Sequence, residues 1–345
     1  MSHALSPVSQ LLERNQSLFA GKRLLIAGYL EDNFALHLQT VASCVSIFCT
    51  DYHRYRALQA SPSSPNLTLE FGHQPRDTDA RYDALLLLLP KAKRESQYLL
   101  ACLTPLLTPG ADLFLAGENR GGINGADKLL ALYGDGSSKL DSARRCSLVH
   151  CRLNAEPARF CLEQWVTNYA IPVDTSTVNI CALPGVFSAD ALDEGSALLL
   201  AHTPPLHGRV LDLGCGAGVI GAVLAHRYPD IKLELCDINA LALESSRRTL
   251  AANGMHGEVH ASDMLSDIAP GIDFLITNPP FHAGLNTLYA PTEQMITAAP
   301  SRLAKGGKML LVANAFLRYP PYLERAFERH SVIAENRKFR LYLAS

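Results

Sequence analysis

The segment Phe274-Leu275-Ile276-Thr277-Asn278-Pro279-Pro280-Phe281 carries the most specific chemistry in the chain. An apolar run stops at an amide, two prolines and an aromatic ring. Proline fixes φ and removes an N–H donor, so such a turn is stiff and presents acceptors. The Asn278 side-chain oxygen and the Pro279 carbonyl can both accept from one exocyclic NH₂, aiming its lone pair at an electrophile. Phe281 offers a face on which a planar base can stack, worth roughly 1–3 kcal/mol. An amine conjugated with a purine ring is a poor nucleophile. Orientation and a positively charged donor would then do most of the work, without a strong general base.

A second constellation precedes it. Arg209-Val210-Leu211-Asp212-Leu213 reads as a buried strand, followed by Gly214, Gly216 and Gly218 and a helical run from Val219 to Tyr228. Strand, glycine turn and helix make a cradle of backbone N–H groups facing a ligand. A further strand, Lys232 to Cys236, ends in Asp237, whose carboxylate can accept both hydroxyls of a ribose. Asp263 follows a third strand, Glu258 to Ala261, where it can accept from an adenine amino group or cap the next helix. Gly216-Ala217-Gly218-Val219-Ile220-Gly221 matches the dinucleotide fingerprint G-x-G-x-x-G, which alone is weak. Asp212 ahead of the turn suits S-adenosylmethionine better. A carboxylate there can reach, directly or through water, an ammonium group that a dinucleotide lacks.

Such residues need a parallel sheet to hold them, and the chain supplies the pattern twice. Gly208-Arg209-Val210-Leu211 is followed by Asp273 after 65 residues, and Gly21-Lys22-Arg23-Leu24 by Asp83 after 62. Each half then reaches a glycine-bearing turn and another apolar strand, around Gly110 and Gly306. Strands alternating with helical patterns predict βαβ units and doubly buried parallel sheets. We expect an α/β chain of two domains of one fold, residues 1–165 and 170–345, with Trp165 packed near the junction. The first copy has Ala27-Gly28-Tyr29-Leu30 in place of the glycine cradle and Leu88-Leu89-Pro90-Lys91 in place of Asn278 to Phe281. It is therefore expected to be degenerate.

The chain has 345 residues and a formal charge of −2, so any polyanion must meet a local basic patch. Candidate patches are Lys91-Lys93-Arg94, Arg144-Arg145-Arg152 and Arg337-Lys338-Arg340. Nine cysteines without a Cys-x-x-Cys pair predict reduced thiols and no structural zinc. No secretion signal or membrane-length apolar run is evident, so a cytoplasmic location is expected.

Val210 to Gly218, Asp237, Asp263 and Asn278 to Phe281 resemble the class I S-adenosylmethionine-dependent methyltransferases that act on exocyclic amines. Leu183-Pro184-Gly185-Val186-Phe187-Ser188 and Leu192-Asp193-Glu194-Gly195-Ser196 narrow the resemblance to the bacterial ribosomal RNA guanine-N2 methyltransferases, as do Gly117-Glu118-Asn119-Arg120 and Ser142 to Cys146. That resemblance implies two tandem Rossmann-like methyltransferase domains, each a mostly parallel sheet flanked by helices. The first would serve RNA recognition or stability and the second catalysis. It implies methyl transfer to the N2 amine of a guanine in 16S ribosomal RNA of the small subunit, leaving S-adenosylhomocysteine. Catalysis would rest on Asn278, Pro279 and Phe281, and cofactor binding on Asp212, Gly214, Gly216, Gly218, Asp237 and Asp263. No metal, membrane or DNA is expected, and the chain is expected to be a monomer. Large-subunit ribosomal RNA and DNA adenine-N6 remain alternative substrates. A non-catalytic RNA chaperone and a nicotinamide oxidoreductase are the competing classes, and neither explains Asn278 to Phe281.

Overall fold

Two aspartates show how the repeated cadence becomes structure. The Asp83 carboxylate accepts from the Arg23 backbone N–H at 3.0 Å, and that of Asp273 from the Arg209 backbone N–H at 2.7 Å. Each fastens the start of one central strand to its neighbour. Hydrogen bonds from Arg23 hold the Asp83 carboxyl below the usual carboxylate range. The computed structural model describes residues 5–61, 64–76, 79–154, 156–279 and 289–345, and the chain divides after Trp165 into two units.

The first unit runs α1 (Pro7–Arg14), β1 (Arg23–Gly28), α2 (Phe34–His37), β2 (Cys44–Cys49), α3 (Tyr52–Gln59), β3 (Leu67–Phe71), β4 (Tyr82–Leu88), α4 (Lys93–Leu103), β5 (Leu107–Glu118), α5 (Ala126–Leu130), β6 (Ser138–Ala143) and β7 (Cys146–Arg152). Its sheet has the order β3-β2-β1-β4-β5-β7-β6. Strands β1 to β5 are parallel, and β7 and β6 antiparallel. Leu24, Leu25, Ile26 and Ala27 of β1 are all buried, as a strand covered on both faces requires. Beyond β1 the chain closes onto β4, where the Tyr29 N–H donates to the Leu88 carbonyl at 2.8 Å. Trp165 packs edge-to-face on Tyr98, with centroids 5.5 Å apart.

The second unit begins with a hairpin, β8 (Thr167–Val173) and β9 (Ser176–Ala182), and continues through α6 (Glu194–Ala201), β10 (Arg209–Leu213), α7 (Val219–Arg227), β11 (Lys232–Asp237), α8 (Ala240–Ala252), β12 (Glu258–Ala261), β13 (Ile272–Thr277), α9 (Tyr289–Ala298), β14 (Leu303–Asn314), α10 (Pro320–Ala326), β15 (His330–Glu335) and β16 (Phe339–Ala344). Its large sheet repeats the first topology as β12-β11-β10-β13-β14-β16-β15. The architecture is α/β, two mostly parallel sheets of one design. The hairpin is pinned to α8, whose Thr249 and Ser245 hydroxyls accept from the Cys181 and Leu183 backbone N–H groups at 3.0 and 2.9 Å. That fastening sets the path of Leu183 to Ser188.

All nine cysteines are free thiols, and burial pushes those of Cys49 and Cys102 up to about 12. Among the described residues no helix is long and apolar enough to cross a membrane.

Candidate functional site

A cavity of about 350 Å³ lies at the carboxyl ends of β10, β11, β12 and β13. Doubly wound sheets bind ligands at this edge, in the crevice where strand order reverses. Here the reversal falls at β10, which pairs with β11 on one side and β13 on the other. Gly214 and Gly216 form one wall and Asp237, Ile238 and Asn239 the next. Asp263, Asn278 and Pro279 also face the cavity, with half-exposed Phe187 at its rim.

The glycine turn is held from behind by α8. The Ser246 hydroxyl donates to the Gly216 carbonyl at 3.1 Å, and that of Thr249 to the Ala217 carbonyl at 2.8 Å. Gly218 caps α7 at φ 76°, and a Cβ there would fall 2.9–3.2 Å from Ser246 atoms. Left-handed backbone and close approach both demand glycine at that position. Across the cavity, the two Asp237 carboxylate oxygens accept from the Gly216 and Asn239 backbone N–H groups, each at 2.9 Å. Asp237 therefore sets the aperture of the cradle as well as presenting charge to it.

Asp212 occupies a different position from the one its sequence context suggests. It is 1% exposed and absent from the cavity wall. Its Oδ2 accepts from the Gly221 N–H at 2.8 Å, and its Oδ1 is buried with no hydrogen-bond partner among the described residues. Burial pushes the carboxyl up to about 7; the Gly221 N–H pulls it back and the Asp237 charge pushes it further. A buried, orphaned carboxyl oxygen beneath a ligand cradle suits a cationic or hydrogen-bonding group above it.

Asn278 is the best-defined side chain of the site. Its Nδ2 donates to Asp193 Oδ2 and to Ser196 Oγ, each at 2.9 Å, so both amide N–H bonds are used. A carboxylate can only accept, which fixes which end of the amide faces Asp193. The Oδ1 end is left for the cavity. Asp193 is itself immobilised as the N-cap of α6, its Oδ2 also accepting from the Gly195 and Ser196 N–H groups at 2.9 and 3.1 Å. One carboxylate oxygen thus orders a helix start and an amide 85 residues away. Thr277, just ahead, ties β13 to β10 by donating to the Leu213 carbonyl at 2.8 Å.

Of the sequence-predicted residues, Gly214, Gly216, Asp237, Asp263, Asn278 and Pro279 come together around one cavity. Asp212 and Gly218 stand behind it, and Pro280 and Phe281 lie outside the described residues. Asp193 and Ser196 carry a legible helix cap in sequence, Asp-x-Gly-Ser ahead of an apolar run, but no local signal points to their second partner, Asn278. Asn239 and Asn314, also on the wall, carried no signal. Among the described residues no cluster of His, Cys, Asp and Glu is arranged to hold a metal.

Comparison with known proteins gives concordant matches. The Methyltransferase small domain family matches residues 177–343, and the Methyltransferase small domain N-terminal family residues 9–169. Ribosomal RNA small subunit methyltransferase C of Aeromonas hydrophila is 56% identical over 344 residues, covering 100% of this chain and 99% of its own. Its counterpart from Vibrio vulnificus is 45% identical, with 99% of each covered. Among solved structures, a T. thermophilus 16S rRNA N2 G1207 methyltransferase in complex with AdoMet and guanosine superposes with a TM-score of 0.82 at 25% identity. The match covers 98% of this chain and 91% of that one.

Proposed function

The chain belongs to the ribosomal RNA small subunit methyltransferase C family, and we propose from that premise how its residues carry out methyl transfer to the N2 amine of a 16S ribosomal RNA guanine. The substrate base corresponds to the one named for the T. thermophilus relative. The observation that carries the mechanism is the locked amide of Asn278, with both N–H groups on Asp193 and Ser196 and its oxygen on the cavity wall.

The site fits S-adenosylmethionine on three counts: on the wall, an acid beside a glycine turn for the ribose and a second acid after β12 for the adenine, and behind the wall an orphaned carboxyl oxygen for the ammonium. When bound, this cofactor supplies an electrophilic methyl group on a positive sulfonium. Asp237 accepts the ribose hydroxyls, Asp263 the adenine amino group, and Gly214 and Gly216 let the ligand approach the backbone. Gly218 and Asp212 maintain the turn, and Asp212, behind the wall, serves the ammonium through water.

Asn278 Oδ1 and the Pro279 carbonyl accept the two N–H groups of the guanine amine, turning its lone pair toward the methyl group. The aniline-like nitrogen gains nucleophilicity as its protons are held by acceptors, and the proton released after transfer leaves along one of these contacts to solvent. Phe281 stacks on the extruded base. The first unit, whose turn after β1 is closed onto Leu88, serves RNA recognition or stability rather than cofactor binding. The protein acts in the cytoplasm as a monomer, without a metal, membrane or DNA.

Incubation with methyl-labelled S-adenosylmethionine and 16S rRNA, 23S rRNA or DNA tests this reading. Label recovered as N2-methylguanosine from 16S rRNA alone is the expected result. Label in 23S rRNA or in adenine would overturn it.

A further inference from the structure

A second cavity, about 520 Å³, opens between the loop after β14, α10 and α9. Phe316, in its wall, is 70% exposed, an unusual exposure for a phenylalanine ring so close to a binding site. It lies two residues beyond Asn314, which lines the first cavity, so their Cα atoms are within about 7.6 Å. Arg318 and Arg325, also in the wall, are exposed and have no ion pair among the described residues. The acid of the wall, Glu293, raises the pKa of the Tyr322 hydroxyl.

A bare aromatic face beside two uncompensated guanidiniums is the combination that binds single-stranded nucleic acid, the ring for a base and the cations for phosphate. The chain as a whole carries a formal charge of −2, so its affinity for a polyanion must come from such local groups. A base extruded into the transfer site also leaves its neighbours unstacked, and they need a surface.

We propose that this cavity seats a nucleotide adjacent to the target guanine on the same RNA strand, its base on Phe316 and its phosphate on Arg318 and Arg325. The proposal rests on the RNA methyltransferase reading above. It adds a strand-binding subsite outside the transfer cavity, with recognition independent of the cofactor.

The test uses the full chain and a labelled 16S rRNA fragment containing the target guanine. Affinity is measured across a salt series for wild type, Phe316→Ala, Phe316→Tyr and the Arg318→Ala/Arg325→Ala pair. Phe316→Ala should weaken RNA binding by roughly five- to hundredfold. Phe316→Tyr, which keeps the face, should stay within about threefold. The arginine pair should reduce the slope of log affinity against log salt by about 0.7, for the one phosphate they share on a single strand. Guanosine binding in the presence of S-adenosylhomocysteine, cofactor affinity and the melting temperature should be unchanged in all variants. Unaltered RNA affinity and salt slope would overturn the subsite, as would guanosine binding that weakens in parallel with RNA binding. Methyl transfer by the wild-type chain to 16S rRNA is scored separately. Its failure would remove the activity, whereas the variant-to-wild-type ratio of RNA affinity judges the cavity alone.

Discussion

Asp193→Ala separates positioning of the amide from simple stability. The Asp193 carboxylate makes three contacts through one oxygen, two to the start of α6 and one to Asn278. Loss of the cap costs about 1 kcal/mol of stability. Loss of the charged acceptor removes a hydrogen bond worth about 1.5–3 kcal/mol from the amide. If that energy holds the productive orientation, single-turnover methyl transfer falls by roughly 10- to 150-fold at 1.36 kcal/mol per tenfold. Asn278→Ala removes the acceptor itself and should cost on the order of a hundredfold or more. The double variant should be no slower than Asn278→Ala, because Asp193 acts on the amine only through that amide. Asp193→Asn can place its own oxygen where Oδ2 sits, keeping the cap and the contact to Asn278, and should lose less than tenfold. Rates are measured on 16S rRNA with saturating cofactor, alongside melting temperatures. Losses that multiply in the double variant would refute the reasoning, since Asp193 would then act independently of Asn278.

Asp237→Ala should weaken S-adenosylmethionine binding at least tenfold by calorimetry, because the ribose loses its acceptor and the Gly216 and Asn239 N–H groups lose their partner; unchanged affinity would remove Asp237 from the site. The folded-state pKa of Asp212, near 7, lies above the ordinary value of 3.8, so the folded chain binds more protons than the unfolded one between about pH 4 and 7. Its contribution therefore lowers stability as pH rises through that window, by roughly 4 kcal/mol for about three units, with the full penalty above it. Asp212→Asn should flatten the fall in melting temperature between pH 5 and pH 8; parallel curves for the two proteins would contradict the assignment. Calorimetric titration of the full chain should give one cofactor per chain, and a stoichiometry of two would show that the first unit retains a site.

The fold was legible because its signals are local. Gly21/Asp83 and Gly208/Asp273 mark the same strand pair in each unit, and those aspartates do fasten the strand starts. The antiparallel elements were not legible. The turn joining β6 to β7 places Arg144 and Arg145 at φ 51° and 63°, where a hairpin usually carries Asn-Gly, so the strongest short-range hairpin signal is missing. In the site, Asn278, Pro279, Asp237 and the glycines are contiguous motifs, whereas the pair Asp193 and Ser196 meets Asn278 only through the fold. Asp212 shows another limit. A motif identifies an acid ahead of a glycine turn but does not say whether its carboxyl faces the ligand or the Gly221 N–H beneath it.

The two units share strand order yet differ at one hydrogen bond that decides where a ligand can enter. By register, Leu213 pairs with Thr277 in the second unit and Ala27 with Leu87 in the first, so Gly214 corresponds to Gly28 and Asn278 to Leu88. In the first unit the residue after Gly28, Tyr29, donates its N–H to the Leu88 carbonyl, and the turn closes the crevice between β1 and β4. A Cβ at Gly28 would lie 1.9 Å from that carbonyl oxygen, so the closure leaves no space for a ligand at this point. In the second unit the residue in the place of Tyr29, Cys215, donates its N–H instead to the Cys236 carbonyl on β11, at 3.0 Å. The turn leans away from β13, and the crevice between β10 and β13 stays open with Asn278 on its wall. Gly-Cys-Gly where the first unit has Gly-Tyr-Leu permits that lean, and an amide where it has leucine gives the opening a function. Restoring a glycine-rich turn to the first unit would therefore not restore a site by itself, because the strand facing it ends in Leu88, which offers no side-chain acceptor for an amine.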